Sequence, residues 1–194
     1  MFYFTLMLAL VLSVPVAFAE RGEGKAYRQG QHEKVKAHRT EQRTENKTFR
    51  ETLKGKPKEE KITAMKAHRE EQHGENMAFR QKLHDENTAH LKERLANNTK
   101  LTQAQKDELS SYYESQYQNR VSHRETQFSE NKAFYDQIAN DPNMTQEQRK
   151  AAIKAHFQTQ HTENKDFRKQ AHEGMKAERQ KIHGEVKAAT QTAQ

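Results

Sequence analysis

The sequence contains no cysteine and only three prolines among its 194 residues. Without cysteine, the chain can form neither disulfides nor thiolate metal sites. The hydrophobic content is only 32%, which is too low for a compact core of ordinary size. A polar chain with few helix breakers can still fold if each long helix buries one narrow apolar stripe. High polarity also favours disorder, but the regular apolar register of the chain argues against it, so we predict an all-α protein.

One uncharged apolar stretch opens the chain, from Met1 to Ala19. Ala17-Phe18-Ala19 is typical of a small-x-small cleavage site, and charged residues begin directly afterwards at Glu20. We therefore predict that residues 1–19 are a signal peptide and that the protein is exported to the periplasm. An uncleaved membrane anchor is the alternative, because the stretch is about the minimum length for a membrane span. No later segment is comparably apolar, so no membrane span is expected after the signal is removed.

The net charge of +7 indicates a surface that attracts acidic partners. Unfolded acidic proteins, anionic lipids and polyanionic envelope polymers all fit this description. Nucleic acid is not expected as a partner, because the protein is predicted to be exported. A mixed-charge helix surface that simply faces water accounts for much of the charge without any partner.

A repeat recurs at residues 36–50, 66–80, 121–135 and 154–168. Each copy has a His, a Gln four residues later, a Glu-Asn pair and then a Phe. A partial fifth copy, Glu86 to His90, lacks the Phe. The spacing of the copies favours an internal duplication of a two-helix unit, within one helical-hairpin repeat domain over residues 20–194. We place the two units at about 20–97 and 98–194.

Helix breakers divide this domain into four predicted helices. Pro57 and Pro142 lie in the clusters 54–57 and 140–143, and a third cluster of turn-forming residues covers 97–100. Short connections of this kind make sequential helices antiparallel neighbours, so we expect long helical hairpins. The predicted helices lie near residues 25–54, 59–96, 102–140 and 145–190.

Two of the predicted helices begin with a capping-box sequence. A Thr at the N-cap accepts a hydrogen bond from a first-turn amide, and a Gln three residues later reaches back to the amide of the Thr. The residue before each Thr is apolar and can pack on the first turn of the helix. The two sets are Leu101, Thr102 and Gln105, and Met144, Thr145 and Gln148.

The same residues carry a resemblance to a known family. Leu101-Thr102-Gln103-Ala104-Gln105 is similar to the Leu-Thr-x-x-Gln motif of the Spy/CpxP family of periplasmic proteins, and Met144 to Gln148 matches it with Met in place of Leu. The resemblance covers the chain from Leu101 onward, whereas the His-Gln-Glu-Asn-Phe repeat is not part of the family pattern. It implies an exported helical protein that acts in envelope stress as an ATP-independent chaperone and forms an antiparallel homodimer.

Within each repeat, the Gln, Asn and Phe follow at steps of four and three residues, so they share one helix face. One interpretation is a seam in which paired amides set the register between helices and the Phe residues anchor it. A slipped register would leave the amides unpaired. The predicted seam residues are Gln42, Asn46, Phe49, Gln72, Asn76, Phe79, Gln127, Asn131, Phe134, Gln160, Asn164 and Phe167.

The His and Glu of each repeat allow a second interpretation, a metal site. They lie seven residues apart on one helix face, and imidazole with carboxylate suits a divalent transition metal such as Zn, Ni or Cu. Seven residues span about 10 Å along a helix, so facing helices would have to contribute ligands together. The candidate ligands are His38, Glu45, His68, Glu75, His123, Glu130, His156 and Glu163. No other cofactor is expected.

No nucleophile constellation or phosphate-binding loop appears in the sequence, so we expect no enzymatic activity. The leading prediction is a periplasmic ATP-independent chaperone or envelope-stress protein that binds unfolded proteins and forms a homodimer. A periplasmic metal-binding protein and a structural or polyanion-binding envelope protein are the alternatives. Off-seam aromatic residues could form apolar islands that hold clients, or could simply widen the core stripe. These residues are Tyr112, Tyr117, Phe128 and Phe157.

Overall fold

The computed structural model describes residues 21–192, and the predicted signal peptide lies outside the described residues. This part of the chain forms four helices and no strand, which confirms the predicted all-α fold. Helix boundaries lie within a few residues of those expected from the breakers. None of the described helices is long and apolar enough to cross a membrane. The helices are α1 (Arg21–Thr52), α2 (Lys58–Ala96), α3 (Gln103–Asn140) and α4 (Gln146–Thr192).

The turn between α1 and α2 depends on a glycine. Gly55 has a φ of 77°, a left-handed conformation that a residue with a Cβ adopts only with strain. Leu53 and Lys54 donate backbone hydrogen bonds to the carbonyl groups of Arg50 and Glu51, which tightens the last turn of α1. Pro57 then leads into α2, where its fixed φ and missing amide hydrogen cost nothing.

Both predicted capping boxes are formed. Thr102 Oγ1 accepts from the backbone amide of Gln105 at 3.3 Å, and Gln105 Oε1 accepts from the amide of Thr102 at 3.1 Å. Thr145 and Gln148 make the same two bonds at 3.2 and 2.8 Å. These bonds satisfy amides that have no partner inside the helix, so they fix where α3 and α4 begin.

An arginine closes the turn between α3 and α4. The Arg149 guanidinium donates to the carbonyl oxygens of Ile138 and Asp141, each at 2.6 Å, and to that of Met144 at 3.1 Å. A charged donor makes stronger hydrogen bonds than a neutral one. One side chain therefore links the end of α3, the turn and the start of α4.

The chain divides into two compact units, and the division lies inside α2, between His90 and Leu91. Sequence reasoning places the division at 97–98, in the turn after α2. The structural boundary is earlier because Leu91 and Leu95 pack in one cluster with Leu109 of α3 and Ile182 of α4. We call the residues up to His90 unit 1 and those from Leu91 onward unit 2.

The two units bury very different amounts of apolar surface. Among the described residues of unit 1, no hydrophobic side chain is buried, and the buried residues are the polar Gln31 and His84. All buried hydrophobic residues of the described chain therefore belong to unit 2. They are Leu91, Leu95, Leu109, Ile138, Met175 and Ile182.

Candidate functional site

In unit 1, α1 and α2 run antiparallel and meet through polar and aromatic side chains. The His38 imidazole stacks on the Phe79 ring, with centroids 4.0 Å apart and an angle of 16° between the ring planes. Nε2 of the same imidazole lies 3.2 Å from Asn76 Oδ1. Because an amide oxygen only accepts, this contact assigns the hydrogen to Nε2 of His38.

The second histidine of unit 1 makes the same contacts in the opposite direction. His68 on α2 stacks on Phe49 of α1 at 3.9 Å, and its Nε2 donates to Asn46 Oδ1 at 3.0 Å. Each helix therefore provides a histidine that contacts an Asn and a Phe of the other helix. The arrangement has an approximate two-fold symmetry, since the contacts are unchanged when α1 and α2 exchange roles.

The glutamines complete the hydrogen bonding of the asparagines. Asn46 Nδ2 donates to Gln72 Oε1 at 3.0 Å across the hairpin, and Asn76 Nδ2 donates to Gln42 Oε1 at 2.7 Å. Each Asn amide also donates to a carbonyl oxygen four residues earlier in its own helix, at 2.6 Å. Both asparagines thus use their oxygen and their nitrogen, as half-buried amides should.

Unit 2 repeats the arrangement with α3 and α4. His123 stacks on Phe167 and His156 stacks on Phe134, each with centroids 4.1 Å apart. Their Nε2 atoms donate to Asn164 and Asn131 at 3.1 and 2.9 Å. We call each set a ladder. The unit 1 ladder comprises His38, Gln42, Asn46, Phe49, His68, Gln72, Asn76 and Phe79, and the unit 2 ladder comprises His123, Gln127, Asn131, Phe134, His156, Gln160, Asn164 and Phe167.

The structure thus brings the predicted seam residues together across each hairpin. It also places the repeated histidines in the seam, although the predicted seam residues do not include them. In unit 2 the amide pairing is less regular, because Gln160 is buried and its Nε2 donates to the backbone oxygen of Gln127 at 3.4 Å. Asn164 Nδ2 still donates to Gln127 Oε1, at 2.9 Å.

The candidate metal ligands have other contacts. In unit 1, Glu45 accepts from Gln72 at 2.7 Å and Glu75 accepts from Gln42 at 3.3 Å. The corresponding carboxylates of unit 2, Glu130 and Glu163, are exposed. Within residues 21–192, no three His, Asp or Glu side chains gather as a group that could hold a metal ion. Metal binding therefore stays a prediction from the sequence.

Sequence reasoning missed Tyr27, which contacts the partial fifth copy and adds a third level of contacts to the unit 1 ladder. The Tyr27 hydroxyl donates to Asn87 Oδ1 at 3.0 Å, and its ring stacks on His90 at 4.0 Å. Tyr27 thus occupies the place of a histidine and His90 the place of a phenylalanine. The signal is an eleven-residue spacing, about three helical turns, that connects Tyr27 with His38 and Phe49.

The same spacing leads to Tyr112 in unit 2, eleven residues before His123. A Cβ added at Gly174 would lie only 2.9 Å from the Tyr112 hydroxyl, so the glycine makes room for the tyrosine. This hydroxyl is buried without a hydrogen-bond partner among the described residues. Burial, together with the nearby Glu178 carboxylate, raises the pKa of Tyr112. The position that corresponds to Asn87 in unit 1 is occupied by Met175, which cannot accept the bond.

The predicted client-binding residues are neither buried nor fully exposed. Tyr112, Tyr117, Phe128 and Phe157 are each partly buried. Met65, with 38% of its surface accessible, is the exposed large hydrophobic residue of the described chain.

The pKa values of two carboxylates are shifted in opposite directions. The Lys34 ammonium, 2.5 Å from Glu86, and the Gln31 amide lower the pKa of Glu86. In unit 2, burial and the neighbouring Glu108 raise the pKa of Glu178. These opposite shifts give each hairpin its own dependence on pH.

No family model matches the chain, and neither a curated protein nor a solved structure was found to be similar to it. The resemblance to the Spy/CpxP family therefore rests on the short motif at Leu101 and its variant at Met144.

Proposed function

We propose that the protein is a periplasmic ATP-independent chaperone that binds unfolded acidic proteins during envelope stress through unit 1. The observation that carries this proposal is the absence of any buried hydrophobic side chain among the described residues of unit 1. Burying one large apolar side chain contributes about 1.5–3 kcal/mol. A hairpin without such burial opens at a low free-energy cost, and opening releases the apolar surface that a client needs.

The half-buried aromatic rings of the unit 1 ladder are the surface that opening would expose. In the closed hairpin, Phe49 and Phe79 are partly buried, and each stacks on an imidazole ring of the other helix. A stacked ring pair is worth about 0.5–1.5 kcal/mol beyond its burial, and each neutral hydrogen bond contributes a net of about 0.5–1.5 kcal/mol. An unfolded client can replace these contacts with apolar contacts of its own.

Charge supports an acidic client. Within residues 21–90, Lys and Arg outnumber Asp and Glu by 17 to 12. Positive charge attracts acidic segments at a distance and is screened by salt. Client binding should therefore weaken as ionic strength rises, and an acidic client should bind more tightly than a basic client of equal hydrophobicity.

The test is suppression of the aggregation of a chemically denatured acidic protein by the full chain without residues 1–19. We expect suppression near a one-to-one ratio at low salt and little effect on a basic client. Suppression should be weaker at about 0.5 M salt, because the Debye length is then shorter than the spacing between surface charges. Absence of suppression at low salt contradicts the proposal.

A covalent clamp tests the role of opening. The chain lacks cysteine, so Lys34→Cys with Glu86→Cys allows a short bismaleimide to lock α1 against α2. The matched control is Glu108→Cys with Lys181→Cys, which locks α3 against α4 at another ion pair. We expect the unit 1 clamp to abolish suppression and the unit 2 clamp to leave it intact. Equal activity of both clamped proteins contradicts the role of unit 1.

A further inference from the structure

The unit 1 ladder is self-complementary. His38 of α1 contacts Asn76 and Phe79 of α2, and His68 of α2 makes the same contacts with Asn46 and Phe49 of α1. Exchange of the two helices leaves this set of contacts unchanged. The ladder therefore requires an antiparallel partner helix with the same pattern, but it does not require that the partner belong to the same chain.

The repetition in unit 2 shows that the pattern pairs different helices in the same way. His123 of α3 and His156 of α4 stack on Phe167 and Phe134 with geometry close to that of unit 1. Outside the repeat, the flanking sequences of the four helices differ widely. The five-residue pattern itself thus accounts for the shared pairing.

The two hairpins differ in how firmly their turns are closed. Arg149 joins both ends of the α3–α4 turn through the carbonyl groups of Ile138 and Asp141. The contacts of the α1–α2 turn include backbone hydrogen bonds, a hydrogen bond from Thr52 Oγ1 to the Phe49 carbonyl oxygen and an exposed ion pair between Glu51 and Lys54. This turn also requires the positive φ of Gly55. Exposed ion pairs contribute little, so the α1–α2 turn is the weaker closure.

We propose that two copies of the chain exchange helices through unit 1, with α1 of one copy paired against α2 of the second copy in the register of the hairpin. Every ladder contact is kept in this exchange, and both Gly55 turns open. Exchange of identical elements costs little when the contacts are the same. The intramolecular pair has the higher effective concentration, so the exchanged dimer forms as the protein concentration rises. This inference goes beyond client binding and gives the predicted homodimer a specific interface.

Crosslinking of mixed single-cysteine variants tests the interface. Full chains without residues 1–19 that carry Lys34→Cys or Glu86→Cys are unfolded, mixed, refolded together over a range of concentrations and treated with a short bismaleimide. The control replaces Lys34→Cys by Glu33→Cys, because Glu33 is exposed and pairs with Lys36 along its own helix. We expect a covalent heterodimer of the Lys34→Cys and Glu86→Cys chains, with a yield at least fivefold above that of the control mixture.

A turn variant supplies an independent readout. Gly55→Ala strains the closed hairpin, because alanine disfavours a positive φ, and the strain is released when both turns open. We expect the dimerisation constant to rise by about thirtyfold or more, since two strained turns are relieved in each dimer. Gly30→Ala, where no other group lies within 4 Å of the added methyl, should leave the constant unchanged. A heterodimer yield equal to the control, or a constant unaffected by Gly55→Ala, overturns the proposal.

Discussion

His38 and Phe79 lie face to face across the unit 1 hairpin, with ring centroids 4.0 Å apart, while the same imidazole donates to Asn76. One histidine thus joins an apolar contact to a hydrogen bond that fixes the axial position of α1 against α2. A hydrophobic seam alone allows the helices to slip by a turn, but a slipped imidazole would lose both partners.

The stacking of His38 on Phe79 predicts that the two side chains are coupled in their contributions to the free energy of unfolding. We expect Phe79→Ala to destabilise unit 1 by about 1–3 kcal/mol, because a half-buried ring loses part of its burial and its stacking. A double-mutant cycle with His38→Ala should give a coupling of about 0.5–1.5 kcal/mol. The same cycle between Phe79 and the exposed His32 is the control. Urea unfolding followed by circular dichroism measures each term, and equal coupling in both cycles would contradict the stack.

The asparagines should be more sensitive than their exposure suggests. Asn76→Ala leaves Nε2 of His38 and Oε1 of Gln42 without their partners, so we expect a loss of about 1–3 kcal/mol. Asn119→Ala removes an exposed amide from α3 and should change the free energy of unfolding by less than about 0.5 kcal/mol. If urea unfolding gives the same small effect for both variants, the Asn76 bonds do not persist in solution.

Tyr27 and Tyr112 should respond differently to loss of their hydroxyl groups. Tyr27→Phe removes a donor to Asn87 and an acceptor for Gln31, and should cost about 0.5–1.5 kcal/mol. Tyr112→Phe removes a buried hydroxyl that has no partner in the described chain, and should be neutral or stabilising. Thermal unfolding of the two variants measures the change in stability. A larger loss of stability for Tyr112→Phe than for Tyr27→Phe would show that the Tyr112 hydroxyl has a hydrogen-bond partner.

Acidification should affect the two units in opposite directions. The pKa of Glu86 is lowered by the Lys34 ammonium, so its ionised form stabilises unit 1 above the ordinary pKa of Glu, and this contribution is lost as the pH falls through the folded-state pKa. The pKa of Glu178 is raised by burial and by Glu108. Its protonated form therefore stabilises unit 2 at low pH, and this contribution is lost as the pH rises through the folded-state pKa.

Variants that replace a carboxylate by a neutral amide separate these effects at pH 7. We expect Glu178→Gln to stabilise the protein, and Glu86→Gln to destabilise it slightly because that ion pair is largely exposed. Glu41→Gln, at an exposed position of α1, is the control and should have no effect. Urea midpoints at pH 4 and pH 7 measure the differences. Destabilisation by Glu178→Gln at pH 7 would show that the sign of its pKa shift is wrong.

Local signals made much of the fold predictable. Pro57, Pro142 and the turn-forming residues after Ala96 place the helix ends, and the Thr-x-x-Gln sequences give two helix starts directly. These signals depend only on neighbouring residues, which a sequence displays. Steps of four and three residues also showed which face of each helix carries the Gln, Asn and Phe.

The cross-helix partners were not predictable in the same way. Whether His38 lies opposite Asn76 or another residue of α2 depends on the axial offset between the two helices, and the pattern within a single helix does not specify that offset. The eleven-residue spacing that adds Tyr27 to the ladder is visible in the sequence, but its residue types change at each step. Arg149 closes its turn through backbone carbonyl groups, and because every residue has such an acceptor, the sequence does not indicate which ones are used.

Nuclear magnetic resonance of the protein without residues 1–19 tests the ladder most directly. With labelled histidine and phenylalanine, we expect cross-relaxation between the ring protons of His38 and Phe79, upfield shifts of the His38 ring protons from the facing ring, and loss of both effects in Phe79→Leu. Imidazole protons with ordinary shifts and no cross-relaxation to any phenylalanine would contradict the ladder.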